Sequence, residues 1–267
     1  MAQTINTNVM SLNSQRHLSS TQADLSRSIE RLSSGLRVNS ARDDAAGLAI
    51  AARMEAQARG SDVAIRNAND GISLAQTAEG ALNEVGNMLQ RMRELAVQSA
   101  NGTNSSGDRA NLDAEYQALN TEIGRLATAT DFNGLAILDA DAGDQTFQIG
   151  ANKDDTLKVT TVKLSDVGGD IKSVANAEKA MGDIDTAIDT VAEDRASYGA
   201  ASSRLSSAIN NLQIMSENTN AAKGRIMDAD FAVETANMTR ASILQQAGSA
   251  MVAQANQIPN SVLSLLR

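Results

Sequence analysis

The sequence predicts a mainly α protein: long antiparallel helices forming a rod or coiled coil, a small β-hairpin region, and termini that pair with each other as a coiled-coil domain. Three observations carry this. Apolar residues recur at steps of three and four along most of the 267 residues. Aromatic residues make up 2% of the chain and Trp and Cys are absent, so any core must be thin. The apolar spacing changes to two only near the middle, around residues 146–164.

The last helical run, residues 242–267, sets the frame. Leu244, Met251, Ile258 and Leu265 fall seven apart, with Gly248, Ala255 and Val262 between them. That 4-3 spacing puts all seven on one narrow stripe, the pattern of a coiled-coil partner. The rest of the run is largely Gln, Asn, Ser and Ala, too polar for burial on every side. An apolar stripe at a terminus needs another helix or frays. Pro259 removes a backbone donor inside the run, which predicts a kink or early fraying there.

Residues 1–40 supply the candidate partner. Leu18, Leu25, Ile29, Leu32 and Leu36 step by seven, four, three and four. Ile5, Val9 and Leu12 carry the same kind of spacing upstream, with a break in phase before Leu18. Two narrow stripes make a thin pair that buries little area, so the termini are expected to order on assembly.

Between the ends, Gly35 is expected to loosen the first helix, and Ser40 with Asp43 reads as a capping box that restarts it. Acids at a helix start are favoured by its dipole, which accounts for Asp43 and Asp44 without chemistry. A long helix follows, carrying Ile65, Ala68, Ile72, Ala75, Ala78, Leu82, Val85, Leu89, Met92, Ala96 and Ser99. It stops at the polar loop 101–108, and a second helix carries Leu112, Tyr116, Leu119, Ile123 and Leu126 as its antiparallel neighbour. Phe132-Asn133-Gly134 reads as a turn, and residues 146–149 and 157–164 alternate as two strands with a phase slip near Thr161. Helical spacing returns from Ala177 to about Ala222, with Lys223-Gly224 as a break.

The search for chemistry returns little. His17 is the single His, so with no Cys a zinc site would need carboxylates alone. No phosphate-cradling Gly loop and no Gly-x-Ser-x-Gly elbow occurs. Asp183, Asp185 and Asp189 lack the loop spacing of a calcium site and read as a solvated helix face. Asn101-Gly102-Thr103 and Asn237-Met238-Thr239 match a glycosylation acceptor, a signal short enough to arise by chance. A net charge of −9 disfavours nucleic acid. No run of 18 apolar residues exists to span a membrane, and residues 1–30 lack a basic, then apolar, export signal. On this reading the protein is cytoplasmic unless it leaves by a route without a cleaved signal. No enzyme activity, cofactor or metal is expected. In Leu89–Gln98, Leu95 and Val97 lie off the stripe of Leu89, Met92 and Ala96, which predicts a second partner unless they are loose apolar residues on a solvated helix.

These residues carry a family likeness. Met1-Ala2-Gln3-Thr4-Ile5-Asn6-Thr7-Asn8 resembles the start of bacterial flagellin. So do residues 31–40 (RLSSGLRVNS), Asp43-Asp44-Ala45-Ala46-Gly47, residues 66–73 (RNANDGIS), Leu89–Gln98, residues 253–259 (AQANQIP) and the final VLSLLR. The likeness covers about two thirds of the chain. It departs in the middle, where larger flagellins carry outer domains and this chain has only residues 132–171.

The resemblance implies a two-domain minimal form. Residues 1–43 and 228–267 would make an inner coiled-coil domain. Residues 44–176, with a β region at about 132–170, and the helix 177–227 would make a rod domain. It implies termini that are disordered in the monomer and form a tube in the filament, with unfolded export through the flagellar type III apparatus to the outside of the cell. The partners implied are other copies of the chain, hook-junction proteins, the filament cap and an export chaperone on the C-terminal helices. Gln90, Arg91 and Leu95 match the surface recognised by Toll-like receptor 5, and Glu115 falls at the corresponding acidic position of the next helix. The family uses that face to stack subunits along the filament. The polymerisation seam is expected to comprise Leu18, Leu25, Ile29, Leu32, Leu36, Leu244, Met251, Ala255, Ile258, Val262 and Leu265. The alternatives are a hook–filament junction protein or a secreted interaction protein of the same system. A protease-bearing flagellin would need a His-Glu-x-x-His insert, which one His excludes.

Overall fold

The computed structural model describes residues 7–264, with side chains through residue 257. Along them run α1 (Val9–Ser34), α2 (Ala45–Ala100), α3 (Ser106–Ala129), β1 (Asp131–Phe132), β2 (Leu135–Ala136), β3 (Asp144–Gln148), β4 (Thr156–Thr160), α4 (Val174–Met227) and α5 (Phe231–Ser264). The fold is mainly α with a small β-hairpin region.

Each helix starts on a short polar side chain that takes up one of the free N–H groups of the first turn. Asn8 accepts from the Ser11 N–H at 3.0 Å, and Asp44 from the Gly47 N–H at 2.7 Å. Ser105 and Asp108 cap α3 reciprocally. Ser173 accepts from the Asn176 N–H at 3.1 Å, and Asp230 from the Ala232 N–H at 2.9 Å.

Two predicted boundaries shift. Asp43 accepts from the Ser40 N–H and hydroxyl at 3.0 and 2.9 Å, but these bonds close a separate turn, and Asp44 caps α2 instead. The Ser40 hydroxyl is the main reason the Asp43 carboxyl lies below the usual carboxylate range. The break expected at Lys223-Gly224 does not occur, because α4 runs on to Met227 and Lys223 pairs with Glu55. A helix-interior glycine costs about 1 kcal/mol, too little to end a helix held by side-chain partners. Pro259 lies within the bounds of α5.

The chain divides into two compact units, Met1–Ala56 with Asn218–Arg267, and Gln57–Glu217. The dividing points fall inside α2 and α4, whereas the sequence reading places them beside helix ends at 43 and 227.

The larger unit has one core. Leu82, Val85, Leu89 and Met92 from α2 meet Tyr116 and Ile123 from α3 and Ile184, Val191 and Leu205 from α4. The stripe read from the sequence of α2 is the buried face, and the burial is wider than that stripe. Leu74 beside Ala75, and Leu95 beside Ala96, are buried as adjacent pairs, because the core takes residues from α3 and α4 as well. Antiparallel β3 and β4 pair in the register Asp144↔Thr160 to Gln148↔Thr156. Leu157 and Val159 of β4 point inward and their neighbours outward, the period of two expected of a half-buried strand. Pairing ends at Thr160, where the sequence pattern slips. Asn133 and Gly134, with φ of 53° and 81°, make the β1–β2 turn.

In the smaller unit α1 packs along α5. Gly35, with φ of 72°, donates its N–H to the Arg31 carbonyl and ends α1. Leu36 is thereby outside the helix, in a backbone bridge to Asp228.

Candidate assembly and recognition surfaces

α1 and α5 run antiparallel. The Asn8 amide donates to the Ala255 carbonyl at 2.7 Å, and the Ser11 hydroxyl to Asn256 Oδ1 at 2.7 Å. At the other end Arg31 Nη1 meets Glu234 Oε1 at 2.9 Å. The residues turned toward the partner follow a strict heptad. On α1 they are Ser11, Leu18, Leu25 and Leu32, alternating with Ser14, Thr21 and Ser28. On α5 they are Glu234, Ala241, Gly248 and Ala255, alternating with Met238, Gln245 and Val252.

This register sorts the predicted seam. Leu18, Leu25, Leu32 and Ala255 lie in the interface of the pair. Ile29 does not: it is 50% exposed, one position off the facing row. Leu244 and Met251 are 52% and 63% exposed. With Leu18 and Val252 at heptad position a, Leu244 and Met251 both fall at g, and so does Met10 of α1. In an antiparallel pair the g rows of the two helices border the same edge. A groove of about 240 Å³ runs along that edge, lined by Asp24 and Arg31 on one side and Asn237 and Leu244 on the other. The side chains of Ile258 and Val262, and Leu265 and Ile5 as a whole, lie outside the described residues.

The contrast with the sequence reading has a physical cause. Two interleaved rows on α5 both repeat every seven residues: the bulky Leu244 and Met251, and the small Gly248 and Ala255. The small row faces α1. A Cβ on Gly248 would lie 3.2 Å from Leu18 Cδ1, so the two helices approach more closely than a Leu or Met row would allow. The bulky row is left facing solvent.

The second candidate surface lies on α2 and α3. Gln90, Arg91 and Glu115 are exposed. Arg91 Nε and Nη2 reach Glu115 Oε1 at 2.9 and 2.8 Å, and Nη1 reaches Glu94 at 2.8 Å. Hydrogen bonds to Glu94 and Glu115 raise the Arg91 pKa further and keep it charged. Leu95, expected on this surface, is 1% exposed and belongs to the core. The second partner implied by its position is the chain's own interior. Val97 is 50% exposed. The neighbouring pair Arg93–Asp185, at 2.5 Å, escaped the sequence reading, because no local spacing links residues that far apart.

Among the described residues no three His, Asp or Glu side chains gather to hold a metal ion. The fold and its surfaces define a structural protein: long helices, paired end segments and an uncovered apolar row.

Comparison with known proteins gives the family. Residues 5–142 match the model of the bacterial flagellin N-terminal helical region, and residues 181–266 that of the C-terminal helical region. The flagellin of Halalkalibacterium halodurans is 47% identical over 270 residues, covering 98% of this chain and 99% of that one. Flagellin A of Vibrio anguillarum is 37% identical over an alignment of 379 positions that takes in all of both chains. The crystal structure of Bacillus cereus flagellin is 36% identical, with a TM-score of 0.52 over 55% of this chain and 88% of that one. The chain belongs to the bacterial flagellins and is a short structural subunit of the flagellar filament. The Vibrio alignment runs to 379 positions against the 267 residues of this chain.

Proposed function

We propose that the g row of the α1–α5 pair is the surface through which one subunit docks on the next during filament growth. The observation that carries this is the exposure of Leu244 and Met251 on a helix whose facing row is already satisfied by α1. Large apolar side chains repeating every seven residues make a seam for a further helix. A second copy supplies that helix; by their spacing Ile258 and Leu265 continue the row, and Val262 continues the row of Gly248 and Ala255 that holds the pair. Leu18, Leu25, Leu32 and Ala255 hold the pair together, and Ile29 contributes from the other flank.

We assign the inner domain to 1–43 with 228–267 and the rod domain to 44–176 with 177–227. Export occurs unfolded through the flagellar type III route, and the hook-junction proteins, the cap and an export chaperone engage the same terminal helices. The test is Met251→Asp. The purified monomer keeps its circular dichroism, because the side chain replaced is exposed, and it fails to elongate filament fragments used as seeds. Elongation at the unmodified rate would overturn the assignment.

The Arg91–Glu115 patch supports a second reading. An exposed, hydrogen-bonded charge pair beside Gln90 is a rigid polar feature suited to recognition by Toll-like receptor 5. Leu95 acts there only by holding α2 against its neighbours. If this face also stacks subunits along the filament, the receptor engages monomers.

A further inference from the structure

The larger unit carries a groove of about 510 Å³ between α4 and the segment 163–167, a size within the roughly 300–1,000 Å³ of small-molecule sites. Val85 and Leu89 of α2, Ile123 of α3 and Val191 of α4 form its apolar floor. Hydrogen bonds fix the segment that walls it. The Leu164 N–H donates to the Leu138 carbonyl at 3.0 Å, and the Val167 N–H to Asn120 Oδ1 at 3.2 Å. Gly124 of α3 leaves room for the Asp166 carboxylate, since a Cβ there would lie 3.1 Å from Oδ1. Every one of these residues belongs to the larger unit, so the groove does not depend on how the end helices pair.

The polar side chains that line the groove present acceptors. Thr186 and Thr190 give their hydroxyl protons to carbonyls of their own helix, at 3.0 and 2.9 Å, and leave oxygen lone pairs. Asp166, Asp183 and Asp194 have no hydrogen-bond or ion-pair partner for their carboxylates among the described residues, and they are not gathered closely enough to hold a metal ion. Lys163, the one cation in the lining, is taken up by Asp139 at 2.8 Å. Burial, and then the neighbouring Glu193, push the Asp194 carboxyl above its usual range, as expected of a charge held without a counter-ion. A cleft lined by one sign of charge concentrates the other. Asp183 and Asp194 stand eleven residues apart on the groove face of α4, about 16 Å at 1.5 Å per residue, so one small cation cannot serve both.

We propose that this groove binds a linear aliphatic polyamine, with its terminal ammonium groups at Asp183 and Asp194 and its methylene chain on the apolar floor. The ammonium groups supply the donors that the lining lacks, and the chain covers Val85, Leu89, Ile123 and Val191. Thr186 and Thr190 offer acceptors to the amines between the two ends.

The experiment titrates spermine into the dilute full chain at fixed ionic strength and follows isotope-labelled methyl groups by NMR. The methyl signals of Val85, Leu89, Ile123 and Val191 are expected to shift and saturate, while those of Leu205, buried outside the groove, hold. Asp183→Asn and Asp194→Asn each weaken binding by about tenfold, the effect of losing one charge at close range. Asp189→Asn, at an exposed position of α4 outside the groove, leaves it unchanged. Dodecane-α,ω-diamine, with two charges at a like span, saturates the same methyl groups, and putrescine, too short to reach both carboxylates, does not. Thr190→Phe fills the groove without altering its charge and abolishes the shifts, which gives a second route to the result if an Asn variant misfolds. Equal weakening by all three Asn variants, or binding that moves no floor methyl, would mean general attraction to an acidic chain and would overturn the site. So would putrescine binding as tightly as the longer diamine. Absence of amine binding together with failure of Asp183→Asn to elongate filament seeds would overturn it in favour of a basic side chain from a second copy.

Discussion

Gly248 of α5 lies directly against Leu18 of α1, with 3.2 Å between the Leu18 Cδ1 carbon and the position a Cβ would take. The contact sets how closely the two end helices approach, and it separates two kinds of substitution. Gly248→Ala adds one methyl against the mobile tip of a leucine and gains up to about 1 kcal/mol of helix propensity. Gly248→Leu overpacks the layer at a cost of about 1–3 kcal/mol. Amide exchange across α1 is expected to speed up in the leucine variant and to hold or slow in the alanine variant.

The Arg31–Glu234 pair closes the other end of the same interface, with side chains 25% and 9% exposed. Arg31 Nε is buried with no partner of its own, so the guanidinium depends on Glu234. Glu234→Ala is expected to cost about 1–3 kcal/mol by stranding that charge. The double change Arg31→Met/Glu234→Met costs less, since nothing is left unpaired. Thermal unfolding of the two variants checks the order; a double variant weaker than the single one would mean that the charge pair itself, not the stranded arginine, carries the stability.

Both tyrosines of the chain sit in the larger unit, and burial pushes Tyr116 and Tyr198 up to about 12 from the usual 10.0. The folded state therefore holds these protons more tightly than the unfolded state does. Their contribution is complete below pH 10 and is lost as pH rises toward about 12. Absorbance at the tyrosinate band is expected to rise only above pH 11, together with loss of helical signal. A rise centred at pH 10 with the helices intact would contradict the burial assigned to both rings.

Arg91→Ala removes the centre of the exposed charge cluster while leaving the core untouched. The melting temperature of the monomer is expected to hold, because exposed pairs of this kind contribute little. Signalling through Toll-like receptor 5 by pure monomer is expected to fall. Leu95→Ala, in contrast, opens a cavity in the core and lowers the melting temperature as well. Loss of signalling without loss of stability therefore belongs to Arg91 alone.

Much of the fold was legible because its cause is local. The stripe from Ala68 to Ser99 is the buried face of α2, since a step of three or four places residues on one side whatever they pack against. Polar loops and the Asn133-Gly134 turn fall where their backbone needs place them. The candidate sites were less legible. Leu95 looked like a free second face because the sequence does not say how many helices surround α2. That Ile29 lies off the row facing α5, and Leu36 outside the helix, was not legible, because apolar character at the right spacing does not report the exact angle, or that Gly35 ends the helix one residue earlier.

The sequence by itself determined that this protein is helical at both ends, poor in core and marked by the terminal motifs of the flagellins. Periodicity, capping residues and motifs are properties of the chain read in order. Only the tertiary structure decided which of two interleaved heptad rows on α5 meets α1. Backbone approach favours small residues, and the hydrogen bonds of Asn8, Ser11 and Arg31 hold that register. Gly248 and Ala255 therefore turn inward, and Leu244 and Met251 are left outward.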